Sequence, residues 1–190
     1  MFEHEIHVGN NYFYLKIIGY KGENLHEKSF YKALEEISKI TGVYIVVIDP
    51  DVLPSPLNLI IAAKYALRAF IEKRNISEKF PIELLLFLSG KKEINKVLEI
   101  FPPKGEIRAF VICLIGKNKS SVVEAINLLE DRLRIRKEIS IFDLNNTKIK
   151  KILKIYNINE KEVKSYYSNN INKILTYAVA IRSALLALKT

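Results

Sequence analysis

Residues 55–74, SPLNLIIAAKYALRAFIEKR, constrain the fold more than any other stretch of the chain. Ser55 followed by Pro56 predicts a helix start. The serine oxygen accepts from an otherwise unpaired N–H, and proline at the first helical position gives up a donor that had no partner. From Leu57 to Ile71 the helix is apolar almost all round, and Lys64, Arg68 and Glu72, four residues apart, leave one narrow polar stripe. A helix with so little polar surface is expected to be packed on most sides. It runs out into a basic pair, Lys73 and Arg74.

The rest of the chain supplies partners for it. Residues 5–8 and 12–20 read as two strands joined by the turn Gly9-Asn10-Asn11, a hairpin signal. Residues 24–40 read as an amphipathic helix, with Asn24 as cap, Glu27 in the capping-box position and Thr41-Gly42 as its close. Residues 44–48 form a β-branched run, and the proline-rich 49–56 leads into the opening helix. IELLLFL (82–88) and IRAFVICLI (107–115) are apolar runs of strand length, separated by a short helix over 91–100. A helix over 121–133 with a Ser121/Glu124 capping box comes next, followed by a short strand at 139–142. Helices over 145–156 and 159–166 and a terminal helix from about Asn170 complete the chain. The expected architecture is α/β (α+β): a single domain over 1–190, with a small mixed sheet, an N-terminal hairpin, flanking helices and a helical C-terminal tail.

Thirty Lys and Arg against 21 Asp and Glu give a net charge of +9, which points to an anionic partner, nucleic acid first; a merely solvating lysine surface is the alternative. One cysteine, Cys113, excludes an internal disulfide and fits a reducing cytosol. The N-terminus, with its acids and no apolar core, does not read as a secretory signal. Residues 171–188 approach the hydropathy of a membrane anchor, but Asn172, Lys173 and Arg182 argue against one.

No catalytic set assembles. His4, His7 and His26 lack metal-ligand spacing, and Gly116-Lys117 lacks the upstream glycine and the following Ser or Thr of a phosphate-binding loop. Asp49 and Asp51 sit in a turn, and Cys113 lies in an apolar strand where a thiol is poorly ionised. No cofactor is expected.

Two other constellations stand out. The basic one joins Lys64, Arg68, Lys73 and Arg74 to Lys91 and Lys92, which follow Gly90; an open helix start at Gly90 would make a phosphate site, and Tyr65 and Phe70 would offer stacking faces. The alternative is a solvated rim. The second is the terminal helix, apolar on more than one flank. Ile174, Ala178, Ile181, Arg182 and Leu185 are the candidate partner contacts, against the alternative of a central helix buried by its own fold.

Several of these elements, in this order, resemble one family. VIDPDVLPSPLNLIIAAKYAL with its Ala62-Ala63-x-x-Ala66 core, IELLLFLSGKKEI, IRAFVICLIG, KKILKIYNINEKEV and the terminal IRSALL are similar to the TPRKB-like kinase-binding accessory subunits of the KEOPS tRNA-modification complex. The likeness spans nearly the whole chain. It departs at Glu93, where the family usually has Gln, at Ile181, where an acid is common, and at 165–170, which reads as an insertion. The resemblance implies a non-catalytic subunit that binds the small Bud-type kinase/ATPase and, through it, the threonylcarbamoyl-transferase subunit; the missing signal and lone cysteine make a cytoplasmic location the expectation. It also implies help in holding the 3′ acceptor end of tRNA for threonylcarbamoyladenosine formation. The reading from another class is a free-standing small enzyme acting on an anionic substrate, with Asp49 or His26 in the reaction.

Overall fold

A hairpin starts the chain. In the computed structural model, which describes residues 1–190 apart from the side chain of residue 24, β1 (Phe2–Val8) pairs antiparallel with β2 (Asn11–His26) across a turn in which Gly9 takes the left-handed φ of +57°. Helix α1 (Glu27–Thr41) and strand β3 (Tyr44–Ile48) follow, then a 3₁₀ turn at Pro50–Val52. Helices α2 (Pro56–Ile71), α3 (Phe80–Ser89) and α4 (Ile94–Ile100) precede β4 (Glu106–Gly116). The remainder is α5 (Lys119–Leu133), β5 (Arg136–Lys137), a 3₁₀ turn at Ile139–Phe142, α6 (Asn146–Ile155), α7 (Glu160–Ser165) and α8 (Ile171–Ala187).

These elements form two compact units, each built from two stretches of chain. The first comprises Met1–Pro50 and Pro102–Ile141, the second Asp51–Phe101 and Phe142–Thr190. The first unit is a five-stranded sheet in the order β1-β2-β4-β3, with β5 on β2. Every pairing is antiparallel, so the sheet is not mixed as expected. Its core is made where Tyr20, Phe110 and Ile112 of the sheet meet Phe30, Leu34 and Ile37 of α1 and Val122, Ala125 and Leu129 of α5. Phe30 and Phe110 meet edge to face at 4.9 Å, the geometry that places a positive ring edge on a negative face.

The second unit is all helix. Ala62, Ala63 and Ala66 on α2 are fully buried. They have no side-chain bulk beyond a methyl, which lets α3 and α8 pack closely against α2. Asn58 of α2, itself buried, donates its Nδ2 to the Thr176 carbonyl of α8 at 2.9 Å and ties the two helices together.

Four local expectations are corrected. Residues 82–88 are helix, not strand: the helix begins at Phe80 with Pro81 in its first turn, and the apolar run is wrapped by neighbours on all sides, which erases the amphipathic period by which a helix is recognised. The first helix starts at Glu27 with His26 at its cap, because β2 continues through 24–26; the Asn24 side chain lies outside those described. The cap of α5 is Asn118, whose Oδ1 accepts from Ser121 N at 2.8 Å, so Ser121 is already inside the helix. Residues 139–142 are a 3₁₀ turn, and the short strand lies just before it.

Candidate nucleic-acid interface

The cap of α2 is formed as its sequence requires, Leu57 N donating to Ser55 Oγ at 3.2 Å. With that register set, Lys64 and Arg68 lie on the one exposed stripe of the helix. Arg68 Nε donates to Glu72 Oε1 at 2.8 Å, and Arg74 Nε to Glu72 Oε2 at 2.8 Å. Arg68 first, then Arg74, hold the Glu72 carboxyl below its usual range. The carboxylate therefore half-neutralises two guanidinia. Lys64 and Lys73 form no ion pair among the described residues.

Beyond α2 the chain turns sharply. Lys73 adopts a left-handed φ of +55°, and Arg74 N closes the turn on Ala69 O at 2.8 Å. The following loop is pinned from inside by Glu83 of α3. This fully buried carboxylate accepts from Ser77 N at 2.8 Å and from Ile76 N at 3.0 and 3.1 Å. Desolvation pushes its pKa up, while the backbone donors pull it back.

The phosphate site expected at Gly90 does not form. Gly90 is the left-handed cap that ends α3, φ +68°, and its N–H is already donated to the Leu86 and Phe87 carbonyls. The next helix starts only at Ile94. Lys91 donates its Nζ to Ile155 O at 3.4 Å, and Lys92 to Lys189 O at 2.8 Å. Those two lysines serve the ends of other helices rather than joining Lys64 and Arg68. Phe70 turns inward to meet Phe80 edge-on at 5.4 Å.

The helix α8 divides the expected partner residues. Ile174 and Ala178 are buried in the core of the helical unit. Arg182 is an internal clamp: its Nη1 and Nη2 reach Glu162 at 2.8 and 2.9 Å, and its fork also donates to the carbonyls of Tyr156, Asn157 and Ala178. Exposed instead is an apolar stripe at helical spacing, Tyr177 (50%), Ile181 (47%), Leu185 (48%) and Leu188 (84%).

Between α2 and α8 lies a groove of about 790 Å³. On one side it is lined by Ile61, Lys64, Tyr65 and Arg68, on the other by Tyr177, Ala180, Ile181 and Ala184, with Tyr166 from the segment after α7. Tyr65 is held in place by stacking on Phe87 at 5.9 Å. The groove thus unites two cations from one expected constellation with Ile181 from the other, and adds Tyr166 and Tyr177. Sequence reasoning overlooked both tyrosines. Tyr166 fell in the apparent insertion, and Tyr177 sat four residues before Ile181, a spacing that would have exposed it.

The charge is also partitioned. The helical unit carries 17 Lys and Arg against 9 Asp and Glu, the sheet unit 13 against 12, so nearly all of the net +9 belongs to the helical unit. Among the described residues no group of three His, Cys, Asp or Glu side chains is placed to hold a metal, and Cys113 is buried with its thiol pKa pushed up by desolvation. No helix among the described residues is long and apolar enough to cross a membrane.

No curated protein matches the chain significantly. A family profile described as kinase binding protein CGI-121 matches residues 24–183, from the end of β2 into the last turns of α8. That span agrees with the resemblance to TPRKB-like subunits and covers most of both units. The chain belongs to the CGI-121 family of kinase binding proteins.

Proposed function

We propose that the chain is a non-catalytic accessory subunit of the KEOPS complex, docking on its small kinase/ATPase and holding the unpaired 3′ end of tRNA in the groove between α2 and α8. The observation that carries this reading is the groove's lining. Unstacked bases are recognised by lying against aromatic faces, and their phosphates by nearby cations. Tyr65, Tyr166 and Tyr177 supply the first, and Lys64 and Arg68 the second. The surplus of positive charge on the helical unit favours the same ligand.

Kinase docking falls to the far part of the α8 stripe, Leu185 and Leu188, with Ile181 shared between stripe and groove. An exposed apolar row on one helix face is suited to a hydrophobic groove on a partner. The whole chain, 1–190, acts as one subunit. It works in the cytoplasm, and its contribution to threonylcarbamoyladenosine formation is to present tRNA to the catalytic subunits.

Two variants separate the two surfaces. Leu185→Arg weakens co-purification with the kinase and leaves RNA affinity alone. Lys64→Glu with Arg68→Glu weakens RNA binding and leaves the kinase complex intact. If tRNA affinity is unchanged in the folded charge-reversal variant, the groove does not hold the RNA.

A further inference from the structure

A second groove, of about 640 Å³, opens in the sheet unit. Four cations line it, Lys21, Arg108, Arg134 and Arg136, together with Glu23 and Glu106, for a local charge of +2. It sits where the β2–β4 ladder is interrupted: the register shifts between Lys21 and Leu25. The small residues Gly22 and Ala109 also line the groove and leave it open. Arg136 is placed by the sheet itself, as the residue of β5 opposite Lys21.

The pairing of the cations is uneven. Arg108 is matched by Glu106 at 3.0 Å and Lys21 by Glu138 at 3.1 Å. Outside the groove, Arg132 is matched by Glu36 at 3.0 Å. Among the described residues Arg134 and Arg136 form no ion pair, and both line the groove. Arg134 also caps α5 in the left-handed conformation, φ +49°, with its N–H on Glu130 O at 3.1 Å. Glycine adopts that conformation without strain, and a long charged side chain does not. The left-handed cap itself does not call for an arginine.

We propose that the groove formed by Lys21, Arg108, Arg134 and Arg136 binds the phosphodiester backbone of an RNA duplex, as a contact distinct from the α2–α8 groove. The guanidinium fork matches phosphate oxygens bidentately. Among the described residues no aromatic side chain lines this groove, so it offers bases nothing to stack on. Its readout is of backbone charge and not of sequence. The choice of RNA rests on the proposed function, whereas the anion chemistry rests on the groove alone.

The test is a fluorescence titration of the full chain with two probes, a short blunt RNA duplex and a single-stranded oligonucleotide of the tRNA 3′ tail, at several salt concentrations. Arg134→Gly combined with Arg136→Gln is expected to lower duplex affinity about tenfold and to reduce the salt slope by about one to two, as expected for one or two lost phosphate contacts. Tail binding stays unchanged. Arg134→Gly alone serves as the folding control, because it relieves strain and keeps or raises the melting temperature while still weakening the duplex. Unchanged duplex affinity in the folded double variant overturns the site. So does a polyglutamate peptide that binds the groove more tightly than the duplex. If the tail oligonucleotide fails to bind while the duplex binds through the two arginines, the proposed function falls and this site stands; the opposite result removes this site and spares that reading.

Discussion

The guanidinium of Arg182 grips the carboxylate of Glu162 in a two-pronged pair, 2.8 and 2.9 Å, and so joins the last helix to α7. The same fork takes up the carbonyls of Tyr156 at 2.6 Å and Asn157 at 3.1 Å where α6 ends. Removing Arg182 takes the donor from a mostly buried carboxylate and from the carbonyls that end α6. Arg182→Ala is expected to cost about 2–3 kcal/mol, less than a fully buried pair because both groups keep some water contact. Arg182→Lys does not restore it, since an ammonium lacks the planar fork. Urea unfolding measures both.

The pH dependence of that variant has a definite sign. Arg182 holds the Glu162 carboxyl below its usual value. A carboxyl with a depressed native pKa adds stability that is complete above its unfolded pKa and is lost as pH falls through the native value. The stability gap between wild type and Arg182→Ala therefore narrows from about pH 5 downward. Unfolding curves at several pH values follow it.

Glu83 behaves in the opposite sense. Its raised pKa means that stability from this group falls as pH rises from the unfolded value towards the native one. Glu83→Gln removes that slope but puts an amide NH₂ where a backbone N–H needs an acceptor, Ile76 N lying near both carboxylate oxygens. A net loss of about 1–3 kcal/mol at neutral pH is expected, with faster amide exchange at Ile76 and Ser77. Hydrogen exchange and denaturation together test this.

Two glycines separate strain from crowding. Gly42 and Gly90 both have left-handed φ, but a Cβ on Gly42 meets nothing within 4 Å, while one on Gly90 comes within 2.7 Å of Arg182 Cβ and 3.0 Å of its carbonyl. Gly42→Ala is expected to cost about 1 kcal/mol, the backbone term alone. Gly90→Ala is expected to cost at least twice that, about 2–4 kcal/mol, because α3 and α8 must move apart. Thermal melts of the two variants rank them.

What was legible in the chain was local and periodic. Ser55-Pro56 announced the start of α2, the repeat of Lys64, Arg68 and Glu72 marked its exposed stripe, and the apolar run at 107–115 marked β4. The misreadings share a physical cause. In α3, burial on all sides removes the polar face that would have told helix from strand. At Gly90 a helix ends rather than begins, and the crowding added to its left-handed φ comes from the tertiary approach of Arg182. On α8, helical spacing identifies the apolar flanks but not which one faces inward, so it does not separate the buried Ile174 and Ala178 from the exposed Ile181 and Leu185. The groove itself joins residues more than a hundred positions apart, Lys64 and Tyr177 among them, and no local pattern encodes that meeting.

Tyr177 offers a clean separation of function from stability. Its ring is half exposed, so Tyr177→Ala is expected to change unfolding free energy by no more than about 0.5 kcal/mol. If a base stacks on this ring as proposed, losing it is expected to cost about 1–3 kcal/mol in RNA binding, roughly 5- to 150-fold in affinity. Calorimetry and an RNA titration on the same sample distinguish the two effects.

The most direct measurement is a thermodynamic cycle on the α2–α8 groove. Affinity is measured for tRNA with and without its unpaired 3′ nucleotides, against wild type and against Tyr177→Ala combined with Lys64→Glu. If the groove holds the tail, trimming the tRNA weakens binding to wild type and has almost no further effect on the variant. If trimming costs the same in both proteins, the tail is held elsewhere and the account of this groove is wrong.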